Sequence, residues 1–270
     1  MDLHLKGKTA VITGGATGIG KAAAREFLKE GANVAVFARR RENVEAFIGE
    51  MSEAFSGEQL YGATADVAEY AEVQHFADEV CARFGTIDVW VNNAGIKIDK
   101  FLDEFTEDEW DRVTRVDHKG VWNGSKAAMA VMKPQRSGVI INISSFTSKM
   151  PHAGQGLYSS LKAAVSSLTR TMAGELAPYG IRVVGIVPGM IETDIAPDIE
   201  KFYDKYVNDI AMRRLGQPED LAKPIVFLSS DAAGYITGTD VEIAGGKFCI
   251  QNVPYAWDVS GFNHSDAGRS

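Results

Sequence analysis

Cysteine is scarce, with two in 270 residues, which excludes a disulfide-stapled scaffold. Cys81 falls in an expected helix and Cys249 in the C-terminal tail. Neither has metal-ligand spacing to the other or to a histidine cluster, so no metal site is expected. Long apolar runs are also missing. None approaches the roughly 18 residues that a bilayer crossing requires, and Met1-Asp-Leu-His-Leu-Lys6 lacks the charged and apolar regions of a secretory signal. The expectation is a cytoplasmic protein with no membrane partner. Positive charge is in the minority, 28 Lys and Arg against 36 Asp and Glu for a net charge of -8. That balance argues against nucleic acid or an anionic surface as the main partner, while leaving room for a local basic patch. Linkers, low-complexity tracts and long-period repeats are absent as well.

What remains is ordinary globular composition, 45% apolar and 24% charged, in a chain long enough for one full α/β core. Apolar runs of strand length alternate with helical stretches. Strands are expected at Lys8–Thr13, Asn33–Ala38, about Leu60–Thr64, Ile87–Asn92, Val139–Ser144, Ile181–Val187 and about Thr239–Ile243. Helices are expected at about Gly18–Glu30, Arg41–Phe55, Tyr70–Phe84, a long Thr106–Met132, Gly156–Ala177 and Pro218–Ser229, with a short one in the loop after the sixth strand. Continuous apolar strands are buried on both faces, and parallel strands need helical crossovers. The pattern predicts a Rossmann-type, doubly wound parallel sheet in a single three-layer α/β/α domain spanning residues 1–246.

The first strand-to-helix turn reads Thr13-Gly14-Gly15-Ala16-Thr17-Gly18-Ile19-Gly20. Glycines there let the backbone approach a pyrophosphate, and the helix N-terminus offers N–H donors and positive potential to it. NAD-binding sheets carry an acid at the end of the second strand for the ribose 2′-hydroxyl. This chain has Phe37-Ala38-Arg39-Arg40-Arg41 there instead. With no carboxylate to repel a 2′-phosphate, and with Arg39 able to grip one by charge-assisted hydrogen bonds, NADP is expected over NAD. Arg40 and Arg41 either join that clamp or open a solvated helix.

Tyr158 and Lys162 stand four residues apart, thirteen residues after Ser145. On a helix, such a pair projects from one face. A cation beside a phenol favours the phenolate, so Lys162 is expected to lower the Tyr158 pKa from its usual value near 10. With the Ser145 hydroxyl nearby, the trio can hold a carbonyl oxygen and exchange a proton with it. Tyr-x-x-x-Lys alone recurs by chance in many proteins. Here it occurs in order with the glycine turn, Asn92-Asn93-Ala94-Gly95, Ser145 and Pro188-Gly189. Together these motifs make residues 5–246 resemble the short-chain dehydrogenase/reductase family, in its single-domain branch of about 250 residues.

The resemblance implies an oxidoreductase that interconverts a secondary alcohol and a ketone, with Tyr158 as acid and base. Ser145 would hydrogen-bond the substrate oxygen, and Lys162 would tune Tyr158 and bind the nicotinamide ribose. The family spacing of thirteen selects Ser145 over Ser144, which is taken as structural. Gly14, Thr17, Gly18, Ile19 and Gly20 would cradle the pyrophosphate and adjoining ribose, with Arg39 and Arg40 at the 2′-phosphate. Asp66 and Val67 would meet the adenine. Asn93, with Ala94 and Gly95, would support the cofactor, and Pro188, Gly189, Ile191 and Thr193 would hold the nicotinamide carboxamide. The family usually has an asparagine where this chain has Asp117, in Val116-Asp117-His118-Lys119-Gly120. That asparagine is thought to hold a water in a proton relay behind the lysine. An aspartate keeps acceptors, loses amide donors and adds a charge that needs pairing if buried.

The expected substrate wall is apolar and aromatic, with Phe146, Met150, His152, Met190, Ile195, Phe202, Tyr203 and Tyr206. It suits a hydrophobic, steroid-like or alicyclic alcohol or ketone. A 3-oxoacyl carrier-protein reductase is the alternative, for whose acidic partner Lys133 and Arg136 could form a local patch. A catalytically idle nucleotide-binding scaffold is the reading from another class, and retention of Ser145, Tyr158 and Lys162 speaks against it. Residues 247–270 carry Val253, Tyr255, Trp257 and Phe262, which predicts docking over the cleft or onto a neighbouring subunit. Leu161, Val165, Leu168 and Met172 follow helical spacing, a core stripe by default and otherwise a dimer face. By resemblance, a homodimer or homotetramer is expected.

Overall fold

The structure is a computed structural model that describes residues 2–193, 203–247 and 249–260, without the side chains of Asp204 and Lys205. Its seven-stranded sheet is built from β1 (Thr9–Thr13), β2 (Asn33–Ala38), β3 (Leu60–Thr64), β4 (Val89–Asn92), β5 (Gly138–Ile143), β6 (Ile181–Pro188) and β7 (Asp240–Ile243). The order is β3-β2-β1-β4-β5-β6-β7, and every pairing is parallel. β1, β4 and β5 are buried at every position, as strands covered on both faces must be. Strand direction of progress reverses between β1 and β4, which opens the crevice where such sheets bind ligands.

The helices follow the expected alternation. They are α1 (Gly18–Lys29), α2 (Arg41–Ser52), α3 (Tyr70–Phe84), α4 (Glu107–Thr114), α5 (Gly120–Gln135), α6 (Gly156–Leu176), α7 (Tyr203–Asn208), α8 (Pro218–Ser229) and α9 (Val253–Ser260). Side chains alternate across the sheet into two cores. Ile12, Phe27, Val36, Phe47, Ile141 and Ile225 fill one layer. Val11, Phe37, Phe76, Trp90, Ile140 and Met172 fill the other. Of the stripe on α6, Met172 belongs to this second core, Val165 is buried, Leu168 is partly buried against the second core, and Leu161 packs with Val113 and Leu157.

The long helix expected over 106–132 is two helices joined by a π-helical turn, Arg115–Lys119, and it runs on to Gln135. Thr106 caps α4 in a reciprocal box, accepting from the Glu109 N–H at 3.2 Å while Glu109 accepts from the Thr106 N–H at 3.1 Å. The π turn carries Asp117, fully buried. Single π turns inside α-helices aim side chains that a regular helix would place elsewhere.

A ladder of buried polar groups crosses the middle of the sheet. Trp90 Nε1 donates to Asn92 Oδ1 at 2.9 Å, and Asn92 Nδ2 donates to Ser125 Oγ at 3.0 Å and Asn142 Oδ1 at 2.8 Å. Asn142 Nδ2 then donates to Thr169 Oγ1 at 2.9 Å. The ladder ties β4 and β5 to α5 on one side and α6 on the other, and those are the elements that carry Asp117's turn and Tyr158.

Candidate active site

At the carboxyl ends of the strands lies a cavity of about 890 Å³ that brings most of the predicted residues together. Gly14, Thr17, Gly18, Ile19, Arg39, Arg40, Val67, Asn93, Ala94, Gly95, Pro188, Gly189, Ile191 and Thr193 line it with Ser145, Tyr158 and Lys162. Three predicted residues stand behind or beside the lining. Gly20 packs beneath the glycine turn, where a Cβ would come within 2.6 Å of Asn93 Nδ2. Asp66 turns its carboxylate onto the N–H of Ala68 at 2.9 Å, and Asp117 lies one layer deeper. Of the expected substrate wall, Phe146, Met190 and Tyr206 line the cavity. Met150, His152 and Tyr203 do not, and Met150 and Tyr203 face outward as exposed side chains. Ile195, Phe202 and Phe262 lie outside the described residues.

The nucleotide end fits a dinucleotide on its own geometry. Gly14 has φ of +61°, a conformation that L side chains rarely adopt, and a Cβ there would press to 3.0 Å from the Ala94 backbone. α1 begins without a side-chain cap and without an acid in its first turn, so its leading N–H groups are available to an anion. Asn93 rivets the turn to β4, donating from Nδ2 to the carbonyls of Thr13 at 3.0 Å and Gly14 at 3.1 Å. Thr13 Oγ1 accepts from the N–H groups of both Asn93 and Ala94 at 2.9 Å. Across the cavity, the Gly189 N–H is fixed to the Ile243 carbonyl at 3.0 Å. Arg39 and Arg40 line the far end while Arg41 does not, with Asn43 of α2 and Ala65 beside them.

The reacting end is built by β5 and α6. The Ser145 hydroxyl acts on the Tyr158 phenol and favours its ionised form, and Ser145 Oγ accepts from the Thr147 N–H at 3.2 Å and the Thr147 hydroxyl at 3.0 Å. Ser144 turns its hydroxyl away, donating to the Lys162 carbonyl at 2.9 Å. Lys162 is buried, with its ammonium 5.4 Å from the Tyr158 ring centroid, 3.3 Å from Asp117 Oδ2 and 3.2 Å from the Ile143 carbonyl. Asp117 Oδ1 accepts from the Ile96 N–H at 2.8 Å. Gly95 leaves room for this pair, since a Cβ there would lie 3.2 Å from Asp117 Oδ2 and 3.4 Å from Lys162 Nζ.

Electrostatics correct one expectation. Burial is the largest influence on Tyr158 and holds its phenol above the ordinary value; Lys162 and the Ser145 hydrogen bond pull it down, while Asp117 and Asp99 push it further up. The lysine acts in the predicted direction, but the net shift is upward. Burial works against the Lys162 ammonium, yet Asp117 and Tyr158 outweigh it and keep it above its ordinary value. Burial pushes the Asp117 carboxyl up, with Lys162 opposing. Tyr158 therefore rests as a neutral phenol beside a cation, a proton donor with an ammonium ready to stabilise what it leaves behind.

A parallel sheet with an anion-ready turn at its switch point and this trio beside it defines a class, the nicotinamide-dependent α/β oxidoreductases. The family described as short chain dehydrogenase matches residues 8–204, and the chain belongs to that family. It is similar to the 3-oxoacyl-[acyl-carrier-protein] reductase FabG of Staphylococcus epidermidis, 39% identical over 243 residues that cover 89% of this chain and 99% of the relative. The FabG of Thermotoga maritima is 38% identical over 245 residues, 90% of this chain and 99% of its own. The solved levodione reductase superposes with a TM-score of 0.86 at 30% identity, covering 90% of this chain and 98% of that one. The chain is thus an NAD(P)-dependent oxidoreductase acting on CH–OH and C=O groups. No helix among the described residues is long and apolar enough to cross a membrane.

Proposed function

We propose that this enzyme is an NADPH-dependent reductase of 3-oxoacyl thioesters. The observation that carries the chemistry is the meeting of Ser145, Tyr158 and Lys162 on one wall of the cavity whose other end is lined by Arg39 and Arg40. The substrate class is supported by the two FabG relatives, which this chain matches over nearly their whole length. This alternative replaces the steroid-like or alicyclic reading as the leading one.

The glycine turn and the start of α1 would hold the pyrophosphate, Arg39 and Arg40 a 2′-phosphate, and Pro188, Gly189, Ile191 and Thr193 the nicotinamide end. Reduced nicotinamide, when bound, supplies the hydride for the carbonyl carbon. Tyr158 gives its phenolic proton to the carbonyl oxygen, so a ketone becomes a secondary alcohol. Ser145 donates to that same oxygen as its charge develops. Lys162, held charged by Asp117, stabilises the phenolate that remains and would bind ribose hydroxyls. In the reverse direction Tyr158 must first ionise, which its upward-shifted phenol resists at neutral pH.

A second reading keeps a bulky hydrophobic alcohol or ketone, favoured by the apolar faces of Phe146, Met190 and Tyr206 in the lining. Nicotinamide absorbance with an acetoacetyl thioester, a hydroxysteroid and a cyclic ketone, each with NADPH and NADH, separates the two. The expected result is highest kcat/KM for the thioester with NADPH. Tyr158→Phe should lower kcat by about 10²- to 10⁴-fold, and Arg39→Ala should raise the KM for NADPH by about tenfold or more while leaving that for NADH nearly unchanged. Intact turnover in Tyr158→Phe, or a tenfold preference for NADH in the unchanged enzyme, would overturn the respective assignment. Cytoplasmic residence and a homodimer or homotetramer belong to the same proposal, the latter read by light scattering.

A further inference from the structure

Four cations line the cavity among the described residues: Arg39, Arg40, Lys162 and Lys97. The first three have places in the nucleotide clamp or the proton-transfer trio. Lys97 has neither. Its ammonium pairs with Asp99 Oδ2 at 2.9 Å, and the lysine side chain is the more buried partner, 17% exposed against 54% for the acid. Both residues line the cavity. The charge of Asp99 also reaches the Tyr158 phenol and helps hold it up, so the pair lies within electrostatic reach of the reacting hydroxyl.

The segment that carries Lys97 is pinned on both sides. The Ile96 N–H donates to Asp117 Oδ1 at 2.8 Å, tying it to the carboxylate that pairs with Lys162. The Lys100 N–H donates to the Gly154 carbonyl at 2.8 Å, and the Lys100 ammonium holds both oxygens of Glu109 at 2.7 and 2.8 Å. Lys97 is therefore held in register with the machinery on α6, although it stands on the opposite loop. The cavity wall also carries the apolar Ile96, Phe146 and Met190, and its neutral polar side chains, Thr147, Gln155 and Tyr206 among them, bring no positive charge. A partly exposed ion pair is weak, and an ammonium has three donors, of which a single acceptor occupies one.

From this placement we infer that Lys97 is a specificity-determining residue, whose ammonium takes a second oxygen of the substrate, the thioester carbonyl lying two carbons from the ketone that Tyr158 protonates. The inference deepens the 3-oxoacyl thioester reading and rests on it for the identity of that second oxygen. A substrate that has only the reacting carbonyl leaves Lys97 with Asp99 and gains nothing from it. A substrate with the second acceptor gains a charge-assisted hydrogen bond and is fixed in orientation over the hydride donor.

The test compares the unchanged enzyme with Lys97→Met and Lys97→Arg on two pairs of substrates. One pair is acetoacetyl-N-acetylcysteamine and 2-heptanone; the other is a cyclic 1,3-dione and cyclohexanone. Lys97→Met is expected to raise KM about tenfold for the thioester and the dione, with kcat within about twofold, and to leave kcat/KM for the two monoketones within about twofold. Lys97→Arg is expected to recover most of the loss. NADPH affinity, read by quenching of protein fluorescence, should be the same in all three proteins and confirms that the variants are folded. Equal losses on the dicarbonyl and monocarbonyl substrates, or no loss on either, would overturn the role of Lys97. Refusal of the thioester by the unchanged enzyme, with turnover of the dione, overturns the acyl-thioester reading while the ratio of dione to cyclohexanone still decides Lys97. Turnover of none of the four substrates overturns both.

Discussion

At the scale of single residues, Asp117 sets this site apart from the asparagine usual in its family. A buried carboxylate beside a buried ammonium keeps Lys162 charged and at the same time opposes ionisation of Tyr158. The two effects have opposite uses. A charged lysine stabilises phenolate once it forms, whereas a phenol held high stays protonated and favours reduction. Because the folded-state phenol titrates above its ordinary value, reduction should hold its rate through neutral pH, and alcohol oxidation should climb with pH into the alkaline range. Asp117→Asn removes the negative charge that pushes Tyr158 up, so the alkaline rise of oxidation should move to lower pH, with kcat for reduction at pH 7 changed by less than about tenfold. Profiles of kcat against pH in both directions check this. A profile for oxidation that coincides with that of the unchanged enzyme would mean that the Asp117 charge does not reach the phenol. Gly95 constrains the same pair from the other side, and no sequence feature except its place after Asn93 and Ala94 marks that constraint.

At the scale of elements, the central strands were legible because burial on both faces leaves a continuous apolar run that periodicity detects, whereas the edge strands β3 and β7 are only partly buried. The glycine turn, Ser145, Tyr158 and Lys162 were legible for a related reason: their mutual spacing lies within one turn or one helix, or is carried by motifs in fixed order. The π turn at Arg115–Lys119 was not, since one residue of slippage in a helical ladder leaves composition and period almost unchanged. Lys97, Asp99 and Gln155 line the cavity because loops are tied across long separations, as by Lys100 to Gly154, and local pattern does not encode such ties. The Asn92–Asn142–Thr169 ladder was hidden in the same way, as polar letters inside apolar runs. Its removal should be costly. Asn142→Ala strands the Asn92 amide donor and leaves a small void, and is expected to lower stability by about 2–4 kcal/mol, read from the urea midpoint at unchanged m. A loss below about 0.5 kcal/mol would show that β4, β5 and α6 are held together without it.

At the scale of the whole molecule, the chain after β7 is the part that composition assigned to docking without deciding between the cleft and a neighbouring subunit. The described portion packs on its own chain. Val253 is buried, Trp257 Nε1 donates to the Ala211 carbonyl at 3.0 Å, and the Arg213 guanidinium lies 5.9 Å from the Trp257 ring centroid. Arg213 is in turn fixed by Asn208, through its side-chain oxygen at 2.6 Å and its carbonyl at 3.2 Å. Those contacts brace α7 and the segment after it, which carry Tyr206 of the cavity wall and pack through Val207, Ile210 and Leu215 against Met190. Lys247 adds a tie at the start of the extension, 3.9 Å from Asp209 and 5.8 Å from the Phe146 ring centroid. If α9 serves to hold this wall, loosening it should change the fit of the carbonyl substrate and spare the nucleotide. Trp257→Ala loses one hydrogen bond and the cation–ring contact, and is expected to cost about 1–2 kcal/mol of stability. It should raise the KM for the carbonyl substrate several-fold while leaving NADPH affinity and the kcat at saturation within about twofold. The opposite split, weakened NADPH binding with an unchanged KM for the carbonyl substrate, would mean that the extension supports the nucleotide end.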